Sequence, residues 1–328
     1  MTNTERAKFL EKLADEIEFC ETPEQAAKTI RGMIEFSNQP TNMAFTECDE
    51  NNFDSHKPNS MTSLTNSILM RYKTFFETWL DLSIEQIEQF CGVLVSSSKT
   101  RYAPSKGWLY YSPLCAFETE TAVFISCIPD WEHEISEIMT DATVSGAISR
   151  IREFVKKHKE YALTDTYHRF YGMEVLNKQI GPTSVTKLEY KHYRQYCVFN
   201  HETHPPIYEW LGSEPEITQE FRDMVDRNIH FCTIVDDRIV SMTESEGIPN
   251  EPDGIINLGI NTLKEYRRNG YAAATCAAFI RHNEQQGLIP VWQCDFNNAA
   301  SQLLADKLGF RYIGNVYSIS TLLKFWED

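Results

Sequence analysis

From Gly181-Pro182 to the end of the chain, short β-branched runs alternate with runs of helical period. That order constrains the fold more than any other feature of the sequence. TSVTKLEY has strand character and is followed by the Tyr-rich helical stretch KHYRQYCVF. ITQEFRDMVDRN places Ile217, Phe221 and Val225 on one side of a helix. IHFCTIVDDRIVSMTES predicts two strands around an Asp236-Asp237 turn, and GIINLGINTL predicts one more. Then come a long helix (YAAATCAAFIRHNEQQG), a strand (LIPVWQCDF), a helix (NAASQLLADKL) and one or two closing strands in GFRYIGNVYSISTLLKF. Strands and helices interleaved in this way predict a mixed sheet flanked by helices, an α/β or α+β layer fold.

The first half has a different texture. Residues 4–19 and the stretch from Thr22-Pro23 to Ile34 predict amphipathic helices, and the polar stretch 37–60 predicts a long loop or linker. Helical patterns return over 61–80 and 83–95. Near residue 107 the chain becomes aromatic and β-branched: GWLYYSPLCAFETETAVFISCIP predicts two strands. A helix over 143–159 follows, with Val144, Ile148, Ile151 and Val155 inward and the basic run KKHK as a solvated face or terminal cap, then a strand in YHRFYGMEVL. The expected organisation is a helical N-terminal region (1–106), a middle half (107–182) and a C-terminal domain (183–328).

Charge and composition narrow the function. The 328 residues carry a net charge of −16, which long-range repulsion sets against nucleic-acid partners. The nine cysteines contain no C-x-x-C pair, so neither a zinc knuckle nor a redox motif is visible, and buried free thiols in a reducing compartment are expected. His201 and His204 in NHETHPP lack the H-E-x-x-H order and predict a polar loop; no metal site is expected. The first residues have no continuous apolar core, and no apolar run approaches ~18 residues, so a cytoplasmic protein without a membrane span is expected.

The stretch KEYRRNGYAAAT (264–275) carries the strongest chemical signal. A strand ends at Thr262 and a helix is predicted from near Tyr271. Arg267 and Arg268 therefore crowd the positive end of that helix, where cations are disfavoured unless an anion joins them. The backbone N–H groups from Arg268 to Ala272 would lack intrahelical partners and converge on one point, a setting suited to phosphate. Gly270 permits a backbone conformation or a close approach that a Cβ would prevent. The pattern is neither a P-loop nor a Rossmann fingerprint.

Arg267-Arg268-Asn269-Gly270-Tyr271-Ala272 resembles the R/Q-x-x-G-x-G/A signature of the GNAT superfamily of N-acetyltransferases. It falls between the strand and helix that correspond to that family's fourth strand and third helix. Asn298, Ser301, Leu304, Ala305, Gly309 and Phe310 are similar to the family's fourth-helix pattern N-x-x-A-x-x-L-Y-x-x-x-G-F. The resemblance covers roughly the C-terminal half and looks closest to the subgroup that includes the zwittermicin A resistance proteins. There a divergent, partly GNAT-like half precedes the catalytic one. It implies acetyl-CoA as co-substrate, with Ile260, Asn261 and Thr262 along the pantetheine arm. Arg267, Arg268, Asn269, Gly270, Tyr271 and Ala272 would lie at the pyrophosphate, and Asn298 at the pantetheine. It further implies direct attack by a small-molecule primary amine, with no nucleic-acid or membrane partner, and leaves a homodimer open. A catalytically silent CoA-binding or ligand-sensing module is the rival expectation.

The sequence departs from the family where proton transfer is expected. Ala305 stands where many members have the Tyr that protonates the leaving thiolate, so Tyr317 and Tyr312 become candidate donors. The strand IINLGINT has no carboxylate, which leaves Glu244, Glu246 and Asp295 as candidate bases. Each is also accounted for, and more simply, as an exposed charge at a strand end.

Overall fold

The computed structural model describes residues 68, 70–103, 110–158, 163–173, 176, 180, 184–203, 217–227, 229–245 and 254–322. In chain order its main elements begin with α1 (Lys73–Leu80), α2 (Ile84–Gln89), β1 (Gly92–Ser97), β2 (Tyr110–Glu118) and β3 (Ala122–Cys127). Next come α3 (Pro129–Met139), α4 (Val144–Lys157), β4 (Thr164–Met173), β5 (Val185–Lys187), α5 (Tyr193–Thr203) and α6 (Gln219–Asp226). The chain continues through β6 (Phe231–Val235), β7 (Arg238–Glu244), β8 (Ile255–Asn257), β9 (Gly259–Thr262) and α7 (Tyr271–Gln285). It closes with β10 (Ile289–Cys294), α8 (Ala299–Leu308) and β11 (Phe310–Leu322). These elements form mixed sheets flanked by helices, a GNAT-like α/β fold.

Two compact units divide the chain. The larger comprises Ser60–Gly181, Glu244–Gly259 and Cys276–Asp328. Its sheet has seven strands in the order β1-β3-β2-β11-β4-β10-β8, drawn from both sides of residue 182. The outer pairs β1/β3 and β10/β8 are parallel, and the pairings between them are antiparallel. Alternation along the strands sends side chains to two cores. On one face Tyr72, Phe75, Phe76 and Trp79, from α1 and the residue before it, pack on Phe117, Phe124, Phe170, Val291 and Val316. On the other, Trp131, Ile135, Ile148, Ile151 and Phe154 from α3 and α4 pack on Leu114, Ala116, Ile125, Tyr317 and Ile319.

Among the described residues, the smaller unit comprises 184–203, 217–227, 229–243 and 260–275. A four-stranded sheet of order β5-β6-β7-β9 carries Cys232, Ile239 and Met242 against Tyr193, Tyr196 and Phe199 of α5 and Phe221 of α6. Asp236 and Asp237, both at positive φ, make the β6–β7 turn, as hairpins with the right-handed strand twist require.

Several expectations change. The helical pattern over 83–95 ends at Gln89, and Gly92–Ser97 is strand β1, paired in parallel with β3. Gly92 at φ +110 breaks the helix, and Val93, Leu94 and Val95 then fit the pleated sheet. GIINLGINTL is two strands rather than one: β8 pairs with β10, whereas β9 belongs to the four-stranded sheet. NHETHPP is helical through Thr203, because Tyr193, Tyr196 and Phe199 extend one buried face into it. The closing segment is one strand, irregular between Tyr312 and Gly314 and between Ile319 and Thr321. The helices expected at 4–34, the linker at 37–60, and Glu246 and His204 lie outside the described residues.

Candidate functional site

In the smaller unit, β9 is the edge strand of its sheet, so Ile260, Asn261 and Thr262 present one backbone edge that no strand of that sheet covers. Ser241 Oγ ties the strand inward, lying 3.2 Å from Asn261 O and 2.8 Å from Thr262 Oγ1. After a short turn, Arg267 folds back and donates from Nε to Thr262 O at 3.0 Å. Asn269 Nδ2 donates to Tyr266 O at 3.1 Å and to Arg267 O at 3.3 Å. These bonds fix a loop in which both Arg268 (φ +67) and Gly270 (φ +85) are left-handed.

Helix α7 begins at Tyr271, and its first ladder bond runs from Ala274 N to Gly270 O. The N–H groups of Tyr271, Ala272 and Ala273 therefore precede the ladder. Arg268, Asn269 and Gly270 are exposed, and a Cβ added at Gly270 would meet no atom within 4 Å. The space over Gly270 is open, and the N–H groups at the start of α7 follow it in the chain. Such a cradle suits an anionic group brought close to backbone. All the loop residues singled out in the sequence, Arg267 to Ala272, are gathered here with Ile260 to Thr262.

The larger unit holds the other candidates. Asn298 is exposed and caps α8, its Oδ1 accepting from Ser301 N at 3.1 Å, which leaves its amide nitrogen to donate. Asp295, just past β10, forms an ion pair with His168 of β4 at 3.0 Å. That hydrogen bond and the imidazole charge hold the Asp295 carboxyl below the usual range. Glu244 is half-buried, and its carbonyl packs 3.2 Å from where a Cβ of Gly259 would stand.

Tyr317 is fully buried, and its hydroxyl has no hydrogen-bond partner among the described residues. Burial pushes its phenol far above the ordinary value; Asp165 adds to this and Arg152 opposes it. Its ring lies on the face covered by α3 and α4, whereas His168, two residues from Phe170, belongs to the α1 face. The structure thus sets Tyr317 and the His168–Asp295 pair on opposite faces of the sheet. Tyr312 is more open, donating to Asn315 Oδ1 at 2.9 Å with the Arg169 guanidinium over its ring. Ala305 is fully buried in α8.

Sequence reasoning missed His168 and a second group around Glu118. Tyr167 and Asn315 both donate to Glu118 Oε2, Asn315 at 2.7 Å, and Phe296 lies 4.6 Å from the Tyr167 ring. No local motif marks either set, because strand pairing assembles them.

Residues 216–319 match the family model described as GNAT acetyltransferase, a span that includes the loop, α7, β10 and α8. This segment is homologous to the GNAT acetyltransferases. A 56-residue stretch is 41% identical to the uncharacterized N-acetyltransferase YdfB of Bacillus subtilis, covering 17% of this chain and 22% of that relative. Among solved structures, a GNAT-family acetyltransferase from Colwellia psychrerythraea is 10% identical with a TM-score of 0.45, over 78% of this chain and 96% of its own. A GCN5-related N-acetyltransferase-like protein from Streptococcus suis is 15% identical with a TM-score of 0.38, over 78% and 99%. Among the described residues no group of three or more His, Cys, Asp or Glu could hold a metal, and no helix is long and apolar enough to cross a membrane.

Proposed function

We propose that the chain is an acyl-CoA-dependent N-acyltransferase that moves acetyl from acetyl-CoA to a primary amine of a small molecule. The loop from Arg267 to Ala272 carries this reading. It lies within the GNAT-matching segment, its two left-handed residues are fixed by side-chain bonds, and its cradle is open above Gly270. Arg268 and the N–H groups at the start of α7 would hold the pyrophosphate. The edge of β9 at Ile260–Thr262 would pair with the pantetheine arm, and the family resemblance assigns Asn298 to the pantetheine as well. Acetyl-CoA supplies an acetyl group already activated as a thioester. A strand N–H of β9 polarises the carbonyl that the amine attacks.

The rival, a CoA-binding module without turnover, draws on buried Ala305 and on the enclosed hydroxyl of Tyr317. Acetyl-CoA consumption across a panel of primary amines separates the two. Release of free CoA with at least one amine supports the transferase, whereas tight binding of acetyl-CoA with no release supports the silent module.

A further inference from the structure

We propose that the larger unit carries a binding site for a free amino acid, with Glu118 taking the ammonium group and Arg169 the carboxylate. The site lies wholly within that unit, so it depends neither on the loop from Arg267 to Ala272 nor on the N-acyltransferase reading.

Register sets the two charges on one line. Asn315 of β11 is paired with Glu118 of β2 on one side and with Arg169 of β4 on the other. In this cross-strand row Glu118 and Arg169 stand two strands apart, roughly 10 Å at the backbone. Alternation puts all three residues on the face of α3 and α4, where Ala116 of β2, Tyr317 of β11 and Tyr167 of β4 pack. Two long side chains spaced in this way on one face can converge on a single small molecule.

Neither charge has its counter-charge. Tyr167 and Asn315 both donate to Glu118 Oε2, Asn315 at 2.7 Å, which leaves Oε1 without a partner among the described residues. The Arg169 guanidinium lies over the rings of Phe296 and Tyr312, 5.4 Å from each centroid. Its Nε is enclosed and has no hydrogen-bond partner, and its polar contact is the hydroxyl of Tyr171, which burial keeps neutral. On the same face Arg152 does find a carboxylate, Asp165 at 3.0 Å. Glu118 and Arg169, both half-buried, form no ion pair among the described residues. Partly buried charges are costly unless they are paired, and a ligand carrying both signs would pair the two at once.

Tyr312 and Asn315 are the spacer between them. Tyr312 donates to Asn315 Oδ1 at 2.9 Å, and Asn315 Nδ2 donates onward to Glu118. Burial pushes the Tyr312 phenol up to about 12, Arg169 lowers it and Glu118 raises it, so both charges act at this hydroxyl. An amino acid supplies what is missing: ammonium N–H donors for Glu118 Oε1, and a carboxylate whose planar shape matches the guanidinium fork. Tyr312 is 37% exposed, which gives an apolar or aromatic ligand side chain a ring to cover.

Isothermal titration with L-phenylalanine, its methyl ester and N-acetyl-L-phenylalanine tests both contacts without CoA. The ester lacks the carboxylate charge, and the N-acetyl compound lacks the ammonium. Loss of one charge-assisted hydrogen bond corresponds to ~10–100-fold in affinity, and each derivative should bind the wild type more weakly than L-phenylalanine by about that factor. Glu118→Gln should weaken L-phenylalanine by a similar factor and leave the N-acetyl compound within about twofold of its wild-type affinity. Arg169→Gln should do the converse, leaving the methyl ester within about twofold. The derivatives are compared on the wild type, so the test holds even where a variant fails to fold. Equal wild-type affinity for L-phenylalanine and either derivative overturns the site, as does unchanged L-phenylalanine affinity in both folded variants. Tightest binding by the ester would mark a site for simple cations and overturns the amino-acid assignment. Absence of binding by every proteinogenic amino acid at millimolar concentration overturns it too.

Discussion

Replacing Gly270 by Val isolates the role of the loop cradle, because the structure separates its effect on folding from its effect on binding. A Cβ at Gly270 meets nothing within 4 Å, so the fold loses no packing. The cost is the left-handed backbone at φ +85, roughly 1–2 kcal/mol for a residue with a Cβ and somewhat more for a β-branched one. A change of 1 kcal/mol moves Tm by about 2–4 °C in a chain of 150–250 residues, so the protein still folds a few degrees less stably. The new methyl groups, however, occupy the open space that a phosphate would have to enter. Loss of one charge-assisted hydrogen bond is worth ~1.5–3 kcal/mol, or about 10–100-fold in affinity.

Gly287 supplies the control. It also is left-handed, at φ +80, with nothing within 4 Å of its Cβ position, but lies after α7 and outside the loop. Gly287→Val should reproduce the fall in Tm with unchanged CoA affinity by isothermal titration. Arg268→Ala should weaken CoA binding by a similar factor without steric change, since Arg268 is exposed and no side-chain bond of the loop uses it. Wild-type affinity in both Gly270→Val and Arg268→Ala would refute the assignment, as would an equal loss of affinity in Gly287→Val.

Other perturbations test the frame. Tyr72 donates to Pro290 O at 2.5 Å and accepts from Met173 N at 2.8 Å inside the core, where burial pushes its phenol up to about 12. Tyr72→Phe leaves both buried groups unpaired and should cost ~2–4 kcal/mol in urea unfolding. A Cβ at Gly172 would fall 2.6 Å from Ile68 Cγ2 and 2.8 Å from Tyr72 Cε2, so Gly172→Ala should lose ~1–3 kcal/mol by overpacking in the same assay. His230 is buried and its imidazole is pushed down to about 4, chiefly by desolvation and then by Arg227. A depressed folded value means its stability is intact above ~6.5, where the unfolded imidazole is neutral, and is lost as pH falls towards 4. Unfolding free energy should drop by about 2 kcal/mol between pH 7 and pH 5 from this group, and His230→Gln should remove that part of the slope.

What the sequence disclosed depended on how local each feature is. The hairpin at Asp236-Asp237 and the strand–loop–helix at Arg267–Ala272 are set by neighbouring residues, and both stand as expected. Helix α3 is not among the elements that the sequence predicts, although Trp131, Ile135 and Met139 recur at four-residue spacing. Pro129 looked like the end of a strand segment, whereas at the first helical turn it costs no hydrogen bond. Strand β1 is not distinguished from helix in the sequence, because Gly92 inside a mixed apolar run gives no clear period. Its state is decided by parallel pairing with β3, a contact beyond any window of sequence.

Register explains why the His168–Asp295 pair lay beyond sequence reasoning. Asp295 was visible as a carboxylate at a strand end, but β4 supplies its partner from far upstream, inserted between β10 and β11. The β4–β11 pairing shifts between Tyr312 and Gly314, so that Asn315 meets Arg169 and Val316 meets His168. The irregularity needs Gly314, whose Cβ would fall 2.6 Å from both Glu118 O and the Phe117 ring. A slip of one residue would turn every β4 side chain to the other face. His168 would leave Asp295 and join the α3 and α4 side, and Phe170 would leave the aromatic core of α1. Burial of Phe170 against Phe75 and Phe76 therefore fixes the face on which His168 stands. The packing that stabilises the sheet is also what brings the imidazole to the carboxylate.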